Sequence, residues 1–293
     1  MQKVTVVVHT FNHEQYLEQC LNSILDQSYF NHLKIMIIDD ASTDSTPSII
    51  KRYKEKYPKK MSSILLLKNQ RTIGKVPGMD FYKELNSEFL SFCDGDDFWI
   101  DSFKLEKQVN ILERNREVGL VHSDYKLLIK KDDIWAIFER TTSERSKAGQ
   151  ITSYADFYFG NNIKASTVIL RSDAVDWVFI EKSQHIVAID WLMYLNVSVN
   201  YRIQYLEDST AVHRVTENGL WNGQDTRTKE LMKSEIRWHC ASNFPDGPTR
   251  DFFRHSILKD YLRSRIAQSR PYKAIKPFTI FYRKAISVLR KRI

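Results

Sequence analysis

Three carboxylates fall within four positions, Asp94, Asp96 and Asp97, directly after the apolar run Phe89-Leu90-Ser91-Phe92-Cys93. Like charges this close at the end of a buried strand repel unless a cation or a set of hydrogen-bond donors offsets them. A hard divalent ion with oxygen ligands suits such a cluster. An exposed Asp-rich turn suits it equally well on local spacing alone. An EF-hand is excluded, because a loop starting at Asp94 needs glycine where Trp99 stands and glutamate where Leu105 stands. A second acidic pair, Asp39-Asp40, follows the apolar residues 33–38, and His9-Thr10-Phe11-Asn12 follows the β-branched residues 4–8.

The elements that must carry these loops alternate. Residues 4–8 read as a strand buried on both faces, and residues 14–27 as a helix, with Tyr16, Leu17, Cys20, Leu21, Ile24 and Leu25 on one side. A strand at 33–38 and a helix at 45–57 follow, the helix with Thr43 or Asp44 as cap and Pro47 in its first turn. A third strand is expected at 63–67, a short helix at 79–85 and a fourth strand at 88–93. This alternation implies a parallel, doubly wound sheet whose ligands bind outside the carboxyl ends of the strands. Both acidic loops then open at one edge, which favours a metal over a turn. The chain has nine glycines and neither a G-x-G-x-x-G after its first strand nor a G-x-x-x-x-G-K-[ST]. A phosphate ligand at this edge would therefore be held through a cation bound by the carboxylates.

Beyond this unit, residues 125–138 read as a hairpin turning at Lys130-Lys131-Asp132-Asp133, 141–150 as a polar loop, and 163–170 as a strand. His122 reads as a strand-end residue near the site. A helix is expected over 226–241, a boundary at 243–248 and amphipathic helices at 252–268 and 273–293. At 293 residues and 42% apolar composition the chain can hold one large domain with an appendage. Its three cysteines match no disulfide or zinc pattern, which suits a reducing cytosol. No signal-peptide pattern and no apolar run near the roughly 18 residues of a spanning helix is evident, so a protein neither secreted nor integral to a membrane is expected.

The formal charge of +8 is concentrated at one end, where residues 254–293 carry 12 Lys and Arg against the single acid Asp260. Such a tail suits docking on an anionic membrane surface, or a solvated helix pair packed on the body; nucleic acid is not expected, because no recognition module accompanies the charge.

The motifs in their order resemble family 2 glycosyltransferases of the GT-A fold, bacterial cell-surface polysaccharide enzymes in particular. Residues 6–14 (VVVHTFNHE) are similar to that family's opening strand and nucleotide-contacting loop, 21–27 (LNSILDQ) to its first helix, and 37–44 (IIDDASTD) to the loop whose second aspartate contacts the nucleobase. Asp94-Gly95-Asp96 resembles the D-x-D motif, and residues 98–109 continue the pattern. The resemblance covers about three quarters of the chain. It implies an α/β GT-A domain, a mixed sheet flanked by helices, over 1–224, and a helical, basic extension over 225–293. It implies nucleotide-sugar contacts at Thr10, Asn12, Asp40, Asp94 and Arg214, and metal ligation (Mn or Mg) by Asp96 and Asp97. It also implies a general base on a later helix, where Asp190 stands; a helix N-terminal carboxylate favoured by the macrodipole is the other local reading of that residue. In the loop at 211–221, His213 and Thr216 stand where relatives carry tyrosine and histidine. Relatives also often have arginine and asparagine where this chain has Met79-Asp80.

The expected activity is inverting, metal-dependent transfer of a sugar from a UDP- or GDP-sugar to a hydroxyl of a glycan or lipid-linked acceptor, in the cytoplasm or on the inner face of the cell membrane. The competing class is a peripheral membrane-binding or nucleic-acid-binding protein with a degenerate transferase site. A sugar-phosphate nucleotidyltransferase would need a glycine-rich N-terminal loop, which is missing.

Overall fold

A computed structural model describes residues 3–186, 188–216 and 225–267. The first half builds β1 (Val4–Thr10), α1 (Leu17–Leu25), β2 (Leu33–Asp39), α2 (Thr46–Lys56), β3 (Met61–Leu65), β4 (Phe89–Asp94), β5 (Phe98–Trp99) and α3 (Lys104–Arg114). The second half builds β6 (Val118–Lys131), β7 (Ile134–Phe138), α4 (Thr142–Gly149), β8 (Ile169–Arg171), α5 (Trp177–Lys182), α6 (Ile189–Val197), β9 (Arg202–Val215), α7 (Thr226–Asn243) and α8 (Pro248–Ala267).

The strands form one sheet in the order β3-β2-β1-β4-β8-β6-β9-β5, with β7 paired to β6. Only the first four strands make the expected parallel unit. Strand β8 runs antiparallel to β4 and to β6, so the sheet is mixed. Val4, Val6, Val7 and Val8 are fully buried, because β1 lies between β2 and β4 and is covered on both faces. Its register pairs His9 with Asp94 and Thr10 with Asp39, which brings three loops to one edge. Helices α1, α2 and α3 cover one face of the sheet and α5, α6 and α7 the other.

Four expectations are corrected. The third strand sits two residues earlier than expected, at Met61–Leu65. Residues 142–149 are helical, not loop, because Thr141 and Glu144 form a reciprocal capping box that satisfies free N–H groups at the helix start. The expected strand at 163–170 is mostly a 3-10 turn, Ala165–Thr167, and only Ile169–Arg171 joins the sheet. His122 lies inside the 14-residue strand β6, buried against the ring of Tyr205 at 5.1 Å, rather than at a strand end.

Helices α7 and α8 share a core with the body. Ile236, Cys240, Phe244 and Phe253 belong to the same buried cluster as Leu170, Trp191 and Tyr194. Arg237 Nε donates to the carbonyl of Tyr158 at 2.8 Å, and the Tyr158 hydroxyl donates to Asp260 at 2.6 Å. The boundary expected at 224/225, part of the 211–221 loop and the helix expected at 273–293 lie outside the described residues. Among the described residues no helix is long and apolar enough to cross a membrane.

Candidate active site

The loops after β1 and β2 are laced together. Asn12, with φ of +53°, accepts from the Thr43 N–H at 2.8 Å and donates its own N–H to Ser42 Oγ at 2.8 Å. Asn tolerates this left-handed backbone better than most residues, which suits it to the position. Asp39 accepts from the Ser42 N–H, and Asp44 accepts from Thr46 N–H at 2.9 Å at the start of α2. Asp40 is buried, and its two oxygens accept from the N–H groups of Gln70 at 2.7 Å and Arg71 at 3.3 Å. Each carboxylate oxygen has two acceptor sites, so Asp40 fixes the 70–71 loop and retains acceptor capacity. Thr10 is buried at the end of β1 with its hydroxyl unpaired among the described residues.

The three carboxylates of the opening cluster have different surroundings. Asp97 is buried, and its Oδ1 accepts from His213 Nδ1 and from the Arg214 N–H, both at 3.0 Å. Burial opposes ionisation, yet the His213 charge and hydrogen bond, Lys164 and the Arg214 N–H hold its carboxyl below the ordinary range. Asp94 and Asp96 accept no hydrogen bond from another described side chain; His13 Nε2 approaches Asp96 at 3.9 Å. Burial, then the charges of Asp97 and Asp96, push Asp94 up to about 7. Burial and the charge of Asp97 push Asp96 up to about 6. Gly95 is required between them, because a Cβ there would lie 2.8 Å from His13 Nδ1 and 3.0 Å from Thr10 Cβ.

Arg214 holds the turn from behind. Its Nε donates to the Asp96 carbonyl at 2.9 Å and its Nη2 to Gln19 at 2.8 Å. The guanidinium lies 4.4 Å from the Tyr16 ring centroid and 5.1 Å from that of Trp135. Two of its nitrogens are thus committed to positioning the turn.

Asp190 stands in the first turn of α6, half-buried, with Asn161 Nδ2 at 3.5 Å. Burial pushes its pKa up. Tyr194 follows four residues later on the same helix face, and its hydroxyl is buried without a partner among the described residues. After burial, the charges of Asp190 and Asp94 are the largest influences on that hydroxyl. Lys164 and Arg71 likewise act on both Asp94 and Asp190. The base candidate and the acidic turn therefore lie within electrostatic reach of the same two cations. Lys164, Arg71, Asn161 and Tyr194 escape a sequence reading, since a lone lysine in a strand-like run and a tyrosine in an apolar helix carry no local signal. Only the pairing of β8 with β4 could have exposed Lys164.

The donor set fits a divalent ion. Asp94 and Asp96 accept no hydrogen bond from another described side chain, and burial together with the neighbouring carboxylates opposes their ionisation, a cost that a bound cation would offset. Among the described residues no three His, Cys, Asp or Glu side chains form a closed cage. An open site of one or two carboxylates suits an ion that takes its remaining ligands from water and phosphates.

Known proteins are similar to this chain in sequence and in fold. The chain is 27% identical over 237 residues to an uncharacterised protein of Mycobacterium tuberculosis, covering 80% of this chain and 65% of that one. It thus spans less than two thirds of the mycobacterial protein's length. An Escherichia coli protein named UDP-Glc:alpha-D-GlcNAc-diphosphoundecaprenol beta-1,3-glucosyltransferase is 28% identical over 214 residues, 71% of this chain and 76% of its own. Among solved structures, Staphylococcus aureus TarS 1–349 in complex with UDP-GlcNAc superposes with a TM-score of 0.62 at 19% identity, covering 92% of this chain and 74% of that one. A Pyrobaculum calidifontis mannosyltransferase in complex with GDP-Man and Mn2+ gives 0.55 at 17% identity, covering 98% and 80%. These likenesses identify the curled, mixed sheet with its helical C-terminal region as a GT-A fold. The sequence profile of glycosyl transferase family 2 matches residues 5–167, more than half of the chain and the whole stretch that carries the acidic turn, and by that match the protein belongs to this family.

Proposed function

We propose that the protein is an inverting glycosyltransferase. It moves a sugar from a nucleoside-diphosphate donor to a hydroxyl of a glycan or lipid-linked acceptor in cell-surface polysaccharide synthesis. The observation that carries this reading is the register of β1, which pairs His9 with Asp94 and Thr10 with Asp39 and so brings the loops of Asn12, Asp40 and the acidic turn to one edge, with Asp190 within electrostatic reach of the same Lys164 and Arg71 as Asp94. In support, one relative is named a UDP-Glc transferase and two structural neighbours are described with UDP-GlcNAc and with GDP-Man and Mn2+.

In this reading Thr10 and Asn12 back the nucleotide, Asp40 contacts the base and Asp94 the ribose. Asp96 is the direct ligand of a divalent ion, and Asp97, whose oxygens are engaged by His213 and Arg214, anchors the turn beneath it. When bound, the ion offsets negative charge on the donor's diphosphate. Asp190 accepts the proton of the acceptor hydroxyl as that oxygen attacks the anomeric carbon from the face opposite the diphosphate. The new glycosidic bond forms as the old carbon–oxygen bond breaks, and its electron pair departs with the diphosphate. Arg214 contributes by holding the Asp96 carbonyl and keeping the turn in one geometry.

Donor recognition is tested by thermal shift. UDP or GDP with manganese should raise the melting temperature, by about 2.7 kcal/mol of added stability at a ligand concentration a hundred times Kd. A protein that binds anionic vesicles but shows no shift with any nucleoside diphosphate belongs to the competing class.

We assign the basic tail to an anionic membrane surface. Residues 268–293 hold eight Lys and Arg and no acid, and each basic group near such a surface adds about 1 kcal/mol. Because α8 packs into the body through Phe253, the informative truncation ends at Ala267 and leaves that core intact. The full chain should float with phosphatidylserine vesicles and the truncated chain should not; equal flotation removes the assignment.

A further inference from the structure

A turn that sequence periodicity presents as a strand is instead fastened beside the acidic centre. Three consecutive carbonyls, those of Ser166, Thr167 and Val168, accept from Trp99 Nε1 at 2.8 Å, Gln108 Nε2 at 2.7 Å and Ser91 Oγ at 2.7 Å. One fully buried lysine organises all three donors. Lys104 Nζ donates to Gln108 at 2.8 Å and to Ser91 at 3.4 Å, and lies 4.3 Å from the Trp99 ring centroid. Burial pushes the pKa of this lysine down to about 7, a cost that a purely structural site would avoid with an apolar residue. The carbonyl of Lys164 is in turn held by Thr167 through both its N–H at 3.0 Å and its hydroxyl at 2.7 Å.

This bolted turn presents Lys164. Strand β8 pairs antiparallel with β4, Ser91 opposite Ile169. Upstream of that pairing the turn bonds Ser91 within β4 through its Val168 carbonyl and Trp99 beyond the acidic turn through its Ser166 carbonyl, so the chain leading back to Lys164 runs toward the carboxyl end of β4. Lys164 is half-buried, and its ammonium makes no ion pair or hydrogen bond with a described residue. Its charge nevertheless bears on Asp94, Asp96, Asp97 and Asp190 alike.

We propose that Lys164 is a donor-binding residue that contacts the phosphate oxygens of the nucleoside diphosphate and carries part of the leaving group's negative charge. The inference rests on the transferase reading above. Three carboxylates and a diphosphate present more negative charge than one divalent ion offsets, and a half-buried ammonium carried on a fastened turn supplies the difference. The fastening matters because a flexible lysine would pair with Asp96 or Asp94 and withdraw from the ligand.

The test uses the full chain and isothermal titration with UDP and GDP in manganese, alongside uridine and guanosine. In Lys164→Met, affinity for the diphosphate that the wild type binds should fall about tenfold or more. Affinity for the matching nucleoside should not change, and Lys164→Arg should recover most of the loss. Unchanged diphosphate affinity in Lys164→Met, in a wild type that binds the diphosphate, overturns the assignment and leaves the transferase reading standing. An equal loss for nucleoside and diphosphate also overturns it, because Lys164 then acts through the fold. A wild type that binds neither UDP nor GDP removes the transferase reading and this inference together.

Discussion

Asp190→Asn should leave nucleoside-diphosphate binding unchanged and lower the rate of sugar transfer by about 10²- to 10⁴-fold, the usual contribution of a positioned general base. The substitution keeps size and polarity, so the 3.5 Å approach of Asn161 and the first turn of α6 survive. What is lost is a group that can take a proton. Because burial raises the Asp190 pKa above the ordinary carboxylate value, the wild-type rate should climb with pH as this group deprotonates, then level off. The sign follows from the role: a base works in its ionised form, which is depleted below its pKa and complete above it. Asp190→Asn should show no such limb in the residual rate. The measurement is kcat against pH at saturating donor, with diphosphate affinity measured separately. Near-wild-type transfer by the variant would return Asp190 to a helix-terminal carboxylate that the macrodipole favours.

Local physics made the first half of this molecule legible. Val6-Val7-Val8 and Ile35-Met36-Ile37-Ile38 are apolar without alternation because both faces of a central parallel strand are covered, and that pattern needs no knowledge of the partner strands. The acidic turn was readable for the same reason, since three carboxylates after an apolar strand are costly without compensation. Non-local pairing hid the rest. Nothing in residues 163–170 declares that only Ile169 and Leu170 join β8, or that the preceding turn is fastened by Trp99, Ser91 and Gln108 from far away in sequence. His122 looks like a strand end because Ser123 and Asp124 are polar, yet Ser123 bonds Thr210 and Asp124 pairs with Arg140 and Arg145 inside the sheet. The helix at 142–149 carries its signature, threonine followed three residues later by glutamate, but its polar composition resembles a loop.

Asp96 and Asp97 differ by one position, and their substitutions should have opposite signatures. Asp97→Asn removes the charge that faces His213 and weakens the bond from the Arg214 N–H in a buried site. It should cost about 1.5–3 kcal/mol of stability, the range for a hydrogen bond to a charged group. Asp96→Ala removes a carboxylate that accepts no hydrogen bond from another described side chain and is repelled by Asp97. Stability in the absence of metal should stay level or rise, because one uncompensated negative charge has gone. For function the order reverses. Asp96→Ala should abolish the increase in UDP or GDP affinity that manganese produces, and transfer with it, whereas Asp97→Asn should retain a manganese response at temperatures where it is folded. Urea denaturation in chelator and nucleotide titration with and without manganese separate the two. If Asp97→Asn keeps full stability and loses the manganese response, Asp97 is the ligand and its bonds to His213 and Arg214 give way when the ion binds. The geometry favours the first outcome, since Asp97 Oδ1 already accepts two bonds at 3.0 Å in a buried site while no other described side chain bonds Asp96.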